Sequence, residues 1–154
     1  LFRSQKTREK VLQLGISQIS GGSRTSVGGY VTPESEEESS AQFDVSDTRS
    51  LDEVVNWLIG MGYIPSFCTA CYRAGRTGDR FMTLLKSGQM VNCCQPNALM
   101  TLKEYLEDYA SMDTKQKGEA LIEREIQNVP NEVVRNKALE YLNQLGGGER
   151  DFRF

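Results

Sequence analysis

Residues 68–78 read Cys-Thr-Ala-Cys-Tyr-Arg-Ala-Gly-Arg-Thr-Gly, and residues 92–97 read Asn-Cys-Cys-Gln-Pro-Asn. These two segments contain all four cysteines of the chain, namely Cys68, Cys71, Cys93 and Cys94. A Cys-x-x-Cys pair places two thiolates on one tight turn, where a soft metal binds both without straining the backbone. A third thiolate, returned by a helix-sized excursion, gives a three-cysteine site with one open position. Such a site suits a reactive iron–sulfur cluster better than a sealed structural zinc.

Zinc and disulfides are the alternatives to an iron–sulfur cluster. A structural zinc site needs four ligands, and Cys93 is available as a fourth, although adjacent side chains diverge from the backbone. The chain has no histidine, so a Cys3His site is excluded within it. Disulfides are typical of secreted proteins, and the sequence shows no signal segment. The spacing of the cysteines leaves all three interpretations open.

Composition limits the class of protein. Hydrophobic residues make up 38% and charged residues 25% of the 154, which argues against disorder and against a membrane protein. The net charge of −3 gives no electrostatic case for nucleic acid as a partner. We therefore expect a cytoplasmic protein that binds neither membrane nor nucleic acid. The chain opens on Leu1 in the middle of a charged, helix-like pattern, so we expect the C-terminal part of something longer.

The first quarter of the chain resembles one unit of a parallel α/β barrel. Residues 2–12 predict a helix, residues 14–20 a short strand, and residues 21–29 form a glycine-rich loop. In such barrels, ligands bind at the carboxyl ends of the strands, where Arg24 is then placed. A guanidinium there can hold a carboxylate or a phosphate, although a solvated loop arginine is the simpler interpretation. Residues 32–41 are acidic and predict a surface loop.

The rest of the chain predicts helices. Ser50 with Glu53 is typical of a capping box, and the helix that they start should end at Gly60 and Gly62. A second helix is expected over residues 77–86.

Further along, Pro96 predicts a turn after the cysteines, and Thr101 with Glu104 a second capping box. Asp113 and Asn131 are expected to cap the last two helices. Arg73 and Arg76, beside the first cysteines, would offset the negative charge of a cluster, unless they pair with acidic groups such as Asp79.

The cysteine segments resemble a known family. Cys68-Thr-Ala-Cys71-Tyr-Arg-x-Gly-Arg-Thr-Gly, followed by Cys94-x-Pro-Asn-Ala, is similar to the carboxyl end of the radical S-adenosylmethionine tyrosine lyases that help to assemble the active-site cluster of [FeFe] hydrogenases. Upstream, residues 15–25 and 42–50 resemble the last barrel strand and the following segment of that family. The related tyrosine lyases of thiamine synthesis share the upstream part and lack the cysteine tail.

The resemblance implies a fold class and a division of the chain. It implies a mainly α fragment of an α/β protein. Residues 1–63 would form the last helix-strand-helix of a radical S-adenosylmethionine (β/α)8 barrel, with the acidic loop 32–41. Residues 64–154 would form a helical C-terminal domain that binds an auxiliary iron–sulfur cluster.

The resemblance also implies cofactors and ligands. Cys68, Cys71 and Cys94 match the three ligands of the family's auxiliary [4Fe–4S] cluster, and Cys93 is an extra thiol. The open iron of that cluster joins, through a bound cysteine, an additional iron that collects CO and cyanide. A second [4Fe–4S] cluster, at a Cys-x3-Cys-x2-Cys motif, cleaves S-adenosylmethionine and starts the splitting of tyrosine into p-cresol and a glycine-derived fragment.

This chain departs from the family in one respect, because it contains no Cys-x3-Cys-x2-Cys motif. We therefore expect the chain alone to be inactive as a carbon–carbon lyase. Arg24 and Ser23 lie where the family binds the tyrosine carboxylate. The implied partners are tyrosine, cysteine, iron and the other hydrogenase-maturation proteins. Without its barrel neighbours, the strand at residues 14–20 would leave backbone groups unpaired and open to self-association.

Overall fold

The computed structural model describes residues 5–24, 47–72 and 79–154, and in this part of the chain it contains helices and no strands. The predictions for the acidic loop, for the glycine-rich loop beyond residue 24, and for Arg73 and Arg76 lie outside the described residues. The helices are α1 (Gln5–Gln13), α2 (Leu51–Gly60), α3 (Asp79–Lys86), α4 (Met90–Asp108), α5 (Met112–Glu125) and α6 (Glu132–Gly146), with short 3-10 turns at Ala70–Tyr72 and Ile126–Asn128. The prediction of a mainly helical chain is confirmed.

The chain divides into two compact units, Leu1–Val54 and Val55–Phe154. In the first unit, Asp47 accepts hydrogen bonds from Arg8 Nη1 at 2.6 Å and from Arg49 Nη2 at 2.8 Å. The hydrogen bond from Arg49 is the main reason why the pKa of Asp47 falls to about 2. This carboxylate therefore ties α1 to the segment that leads into α2.

The predicted strand at residues 14–20 is wrong. These residues leave α1 through Gly15, at φ +94°, and continue without regular structure. Leu14 and Ile16 are exposed. A strand is stabilised by the backbone of a neighbouring strand, and within the described residues no strand is present to pair with this one.

Helix α2 begins and ends as predicted. Ser50 N and Ser50 Oγ both donate to Glu53 Oε2, at 2.7 and 2.9 Å, and Glu53 N donates back to Ser50 Oγ at 3.3 Å. These reciprocal bonds are a capping box. At the other end, Gly62 adopts φ +82°, and Tyr63 N donates to Leu58 O, which closes the helix in a Schellman motif.

The second unit is built around α4, which packs against α5 and α6. Its core consists of apolar side chains from these three helices, from the connection between α5 and α6, and from the second half of α2: Val55, Ile59, Leu99, Met100, Leu102, Tyr105, Leu106, Leu121, Ile122, Ile126, Val129, Ala138, Leu142 and Leu145. Gly118 lets α5 approach α4 closely, because a Cβ at this position would lie 2.5 Å from Leu106 Cδ1. Lys103 and Lys115 both pair with Glu107, which adds a charged contact between the two helices.

The predicted turn at Pro96 and the predicted capping box at Thr101 are wrong, because α4 runs without a break from Met90 to Asp108. Pro96 lies inside this helix and is buried, as are the four residues that follow it. Burial of these residues stabilises the helix enough to compensate for the hydrogen bond that Pro96, which has no N–H, does not make. Thr101 and Glu104 instead bind neighbouring segments, as described below.

The last two helices are capped at their amino ends. Ser111, rather than the predicted Asp113, caps α5, with its hydroxyl accepting from Thr114 N. Asp113 lies within the first turn and pairs with Lys117. Asn131 caps α6 as predicted, since its Oδ1 accepts from Val133 N and Val134 N. Within the described residues, no helix is long and apolar enough to cross a bilayer.

Candidate metal centre

The first two cysteines lie on an arm that docks against α4, which we define as residues 64–72. Pro65 is buried, and the ring of Phe67 stacks on Tyr105 with 5.0 Å between centroids. Phe67 N donates to Thr101 Oγ1 at 3.1 Å, so the residue before Cys68 is fixed to the helix. Cys71 follows in the 3-10 turn Ala70–Tyr72.

The other two cysteines lie near the start of α4, one turn before its buried stretch. Cys93 and Cys94 are both half-buried, and so are Cys68 and Cys71. All four are free thiols, so the disulfide alternative has no support in the structure. Thr101 and Tyr105, which hold the arm, follow Cys94 by seven and eleven residues, close to two and three full turns, and therefore lie on the same face of α4 as Cys94.

The pKa values of Cys93 and Cys94 are both raised. For Cys94 burial is the largest cause, and together with smaller contributions from Cys93, Cys71 and Cys68 it raises the pKa to about 11. Burial also raises the pKa of Cys93, and Cys71 and Cys68 again contribute. The grouping of the two cysteine segments in one site stays a prediction.

Arg80 is a cation near the thiols that the sequence reasoning did not single out. It lies in the first turn of α3, it is exposed, and its charge lowers the pKa of Cys93 against the effect of burial. The predicted cations, Arg73 and Arg76, lie outside the described residues. The helix predicted directly after the Cys-x-x-Cys pair was a useful signal in the sequence. The position of that helix determines which arginine side chain lies near Cys93 and Cys94.

A second segment at this site was also missed. Residues 149–154, the tail segment, return along α4, with Arg150 paired to Asp108 and Asp151 N donating to Glu104 Oε1 at 2.9 Å. Phe152 stacks on Tyr141 at 4.5 Å between centroids. The tail reaches Asn97, which is only 3% exposed.

Asn97 joins the tail segment to Cys93. Its Oδ1 accepts from Phe154 N at 2.9 Å, and its Nδ2 donates to Phe154 O at 3.4 Å and to Cys93 Sγ at 3.8 Å. Cys93 Sγ in turn donates to Phe154 O at 4.0 Å. Asn97 was part of the motif quoted from the sequence, but nothing there indicated that it binds a segment more than fifty residues away.

The chemistry of the cysteine side chains suits an iron–sulfur cluster or another soft metal, since thiolates are soft ligands. Among the residues that the structure describes, no three Cys, Asp or Glu side chains form a group that could hold a metal ion as they stand. Protonated thiols do not attract one another, whereas a bound cation stabilises thiolates and draws them together. Metal ligation by Cys68, Cys71 and Cys94 stays a prediction.

The predicted substrate residues, Ser23 and Arg24, belong to the first unit. They are half-buried and follow Gly22, whose φ is +66°. A Cβ at Gly22 would lie 3.3 Å from Leu51 N, so this turn packs closely against the start of α2. Their role in binding a carboxylate stays a prediction.

A solved structure identifies the family of this chain. No family model matches the chain, and no curated protein matches it. A solved structure described as HydG, a maturase of the [FeFe]-hydrogenase, matches with a TM-score of 0.86 and 48% sequence identity over 99% of this chain. The chain spans 33% of the length of that HydG chain. With this identity over nearly all of its residues, the chain belongs to the same family as HydG, and the resemblance predicted from its cysteine segments is confirmed.

Proposed function

We propose that this chain is the auxiliary-cluster module of a radical S-adenosylmethionine tyrosine lyase that serves [FeFe]-hydrogenase maturation. The observation that carries the proposal is the docking of the arm with Cys68 and Cys71 against α4, the helix that contains Cys94. The similarity to HydG, a hydrogenase maturase, supports this interpretation of the site. Neither observation favours the alternative, a zinc-binding interaction module.

In this proposal, Cys68, Cys71 and Cys94 hold a [4Fe–4S] cluster through three of its irons. When bound, the cluster supplies an open iron position, at which an additional iron with a cysteine ligand collects CO and cyanide. The contribution of the chain is to position the cysteines. Helix α4 fixes Cys94, while Thr101 and Tyr105 hold the arm that contains Cys68. Because burial keeps the Cys94 thiol protonated, loading with iron must release its proton.

The activity of the whole enzyme needs residues outside these 154. Splitting of tyrosine requires the radical-generating cluster and its Cys-x3-Cys-x2-Cys motif, which this sequence lacks. We therefore expect no lyase activity from the chain alone. Ser23 and Arg24 would bind the tyrosine carboxylate within a completed barrel, where a guanidinium offers two parallel hydrogen bonds. The other maturation proteins would be the partners that receive the iron product.

Anaerobic reconstitution with iron and sulfide tests the proposal. We expect about four irons and four sulfides per chain, as for a [4Fe–4S] cluster. The electron paramagnetic resonance signal of the reduced form should change when cysteine is added, because cysteine would bind the open iron. Stoichiometric zinc without sulfide would contradict the proposal and support the zinc module.

Single cysteine variants test the ligand assignment. Cys94→Ala should abolish cluster binding, whereas Cys93→Ala should leave the iron and sulfide content nearly unchanged. The two variants are matched controls, since they remove the same group from adjacent residues of one helix. The reverse pattern would show that Cys93 is the ligand.

A further inference from the structure

Two adjacent cysteines at the start of α4 raise the question of what determines which one binds metal. Cys93 and Cys94 are both half-buried, and both respond to Cys68 and Cys71. Adjacent helical residues point about 100° apart, so one metal site does not readily take both side chains. Neither burial nor distance along the chain distinguishes them.

The two cysteines differ in the residue one helical turn further on. Four residues after Cys93 lies Asn97, whose amide reaches Cys93 Sγ at 3.8 Å. Four residues after Cys94 lies Ala98, which offers only a methyl group. Side chains four apart lie one above the other on a helix, so Asn97 can bind the first thiol and not the second.

Asn97 does not act alone, because it also holds the main chain of Phe154 against the same thiol. Its amide makes two hydrogen bonds with that main chain, at 2.9 and 3.4 Å, and the Phe154 carbonyl accepts from Cys93 Sγ at 4.0 Å. The tail segment is anchored independently by Arg150 and by the Phe152 ring. The carbonyl therefore stays near Cys93 without needing the thiol to hold it there.

We propose that Asn97 and the Phe154 main chain select Cys94 as the metal ligand, by engaging Cys93 in hydrogen bonds within the protein. Ligation by Cys93 would remove its thiol proton and with it the hydrogen bond to Phe154 O, whereas ligation by Cys94 leaves that bond in place. Asn97 is thus a positioning residue that acts through Cys93. This inference rests on the proposed function, because it presupposes that one of the two thiols binds a cluster.

The selection of Cys94 over Cys93 is tested by restoring cluster binding to a variant that lacks Cys94. Cys94→Ala should lose the cluster, and adding Asn97→Leu, which removes the amide at nearly constant volume, should release Cys93 to replace the missing ligand. We expect the double variant to bind iron about tenfold more tightly than Cys94→Ala alone, the effect of losing one to two hydrogen bonds. Cys94→Ala with Asn136→Leu, a matched change at an exposed residue of α6, should give no rescue.

The outcomes separate this inference from the proposed function. A full cluster in Cys94→Ala would contradict the proposed ligand set. If Cys94→Ala loses the cluster and Asn97→Leu does not restore it, the proposed selection by Asn97 is wrong and the proposed ligand set still holds. If Asn136→Leu restores the cluster as well as Asn97→Leu does, the proposed selection is also wrong. Circular dichroism of each variant shows whether it folds, and a chain ending at Arg153, which lacks the Phe154 carbonyl, replaces Asn97→Leu if that variant does not.

Thiol modification of the metal-free chain gives a readout that needs no cluster. Peptide mass spectrometry after brief alkylation reports the rate at each cysteine. A chain ending at Arg153, which lacks the Phe154 acceptor of the Cys93 proton, should be alkylated about fivefold faster at Cys93, the effect of losing one hydrogen bond, and at an unchanged rate at Cys68. An unchanged rate at Cys93 would overturn the proposal, because Phe154 would then not restrain that thiol.

Discussion

The helical core and the cysteine arm are held together in different ways, although both depend on α4. In the core, side chains such as Leu99 and Leu145 are fully buried among three helices. The arm, residues 64–72, docks through Ile64 at the edge of the core, the buried Pro65, a ring stack and a hydrogen bond to Thr101. Core packing contributes far more free energy than these few contacts.

This difference separates folding from metal binding. The core is formed by apolar side chains of the helices, so we expect it to fold without iron. The arm has few contacts of its own, and a bound cluster would fix it by joining Cys68 and Cys71 to α4. This chain thus combines a folded helical support with one loosely held arm.

The largest expected effect comes from opening the core. Leu99→Ala should lower the free energy of unfolding by about 3 kcal/mol, because it leaves a cavity around a side chain with no exposure. Urea denaturation followed by circular dichroism measures this change. Leu139→Ala on α6, where the side chain is 37% exposed, is the control and should cost much less. Equal losses would contradict the assignment of Leu99 to the core.

A somewhat smaller effect should follow from crowding the contact between α4 and α5. Gly118→Ala places a Cβ 2.5 Å from Leu106, so the helices must move apart or Leu106 must change rotamer. We expect a loss of about 2 kcal/mol in the free energy of unfolding. Gly146→Ala, at an exposed helix end, is the matched control. A stabilised Gly118→Ala protein would show that the helices do not approach so closely.

Acid should weaken the core more than the arm. Hydrogen bonds from Lys103 and Lys115 lower the pKa of Glu107 in the folded chain. A carboxylate with a lowered folded pKa stabilises the fold above its ordinary pKa, and this contribution is lost as the pH falls through the folded value. The free energy of unfolding should therefore fall between about pH 7 and pH 3. In Glu107→Gln this fall should be smaller by about 1 kcal/mol.

Urea denaturation at the two pH values measures the contribution of Glu107. Glu123→Gln, at an exposed residue of α5, is the control and should leave the pH dependence nearly unchanged. If both variants keep the pH dependence of the unchanged chain, Glu107 does not stabilise the contact between α4 and α5.

The smallest effect should be confined to the arm. Thr101→Val removes the acceptor for Phe67 N, and hydrogen exchange of that amide should become about fivefold faster in the metal-free chain. Thr83→Val, at an exposed residue of α3, is the control. Unchanged exchange at Phe67 would contradict the docking of the arm through Thr101, whereas a large fall in the global unfolding free energy would erase the distinction between arm and core.

The sequence predicted features whose cause is local. Ser50 with Glu53, Gly62 and Asn131 act through hydrogen bonds or dihedral angles within a few residues, and the structure confirms each of them. These predictions succeeded because the interacting groups are neighbours in the chain. The cysteine spacing predicted a shared metal site, which stays a prediction.

The predictions that failed depended on distant groups. Thr101 and Glu104 have the pattern of a capping box, but burial of the surrounding residues keeps α4 continuous, and their side chains bind Phe67 N and Asp151 N. The alternation at residues 14–20 has no partner strand within the described residues. The tail segment carries no local signal for Asn97, because an amide can bind any exposed main chain.

Helix α4 also sets a length requirement on the sequence. Cys94, Thr101 and Tyr105 share one face because spacings of seven and eleven residues are close to two and three turns of the helix. An inserted or deleted residue between Asn97 and Thr101 would rotate the cysteines by about 100° away from the arm. Insertions near Gly88, in the exposed connection between α3 and α4, would leave this face intact. Evolution of this chain can therefore vary that connection in length, while the eight residues from Cys94 to Thr101 must change by substitution alone.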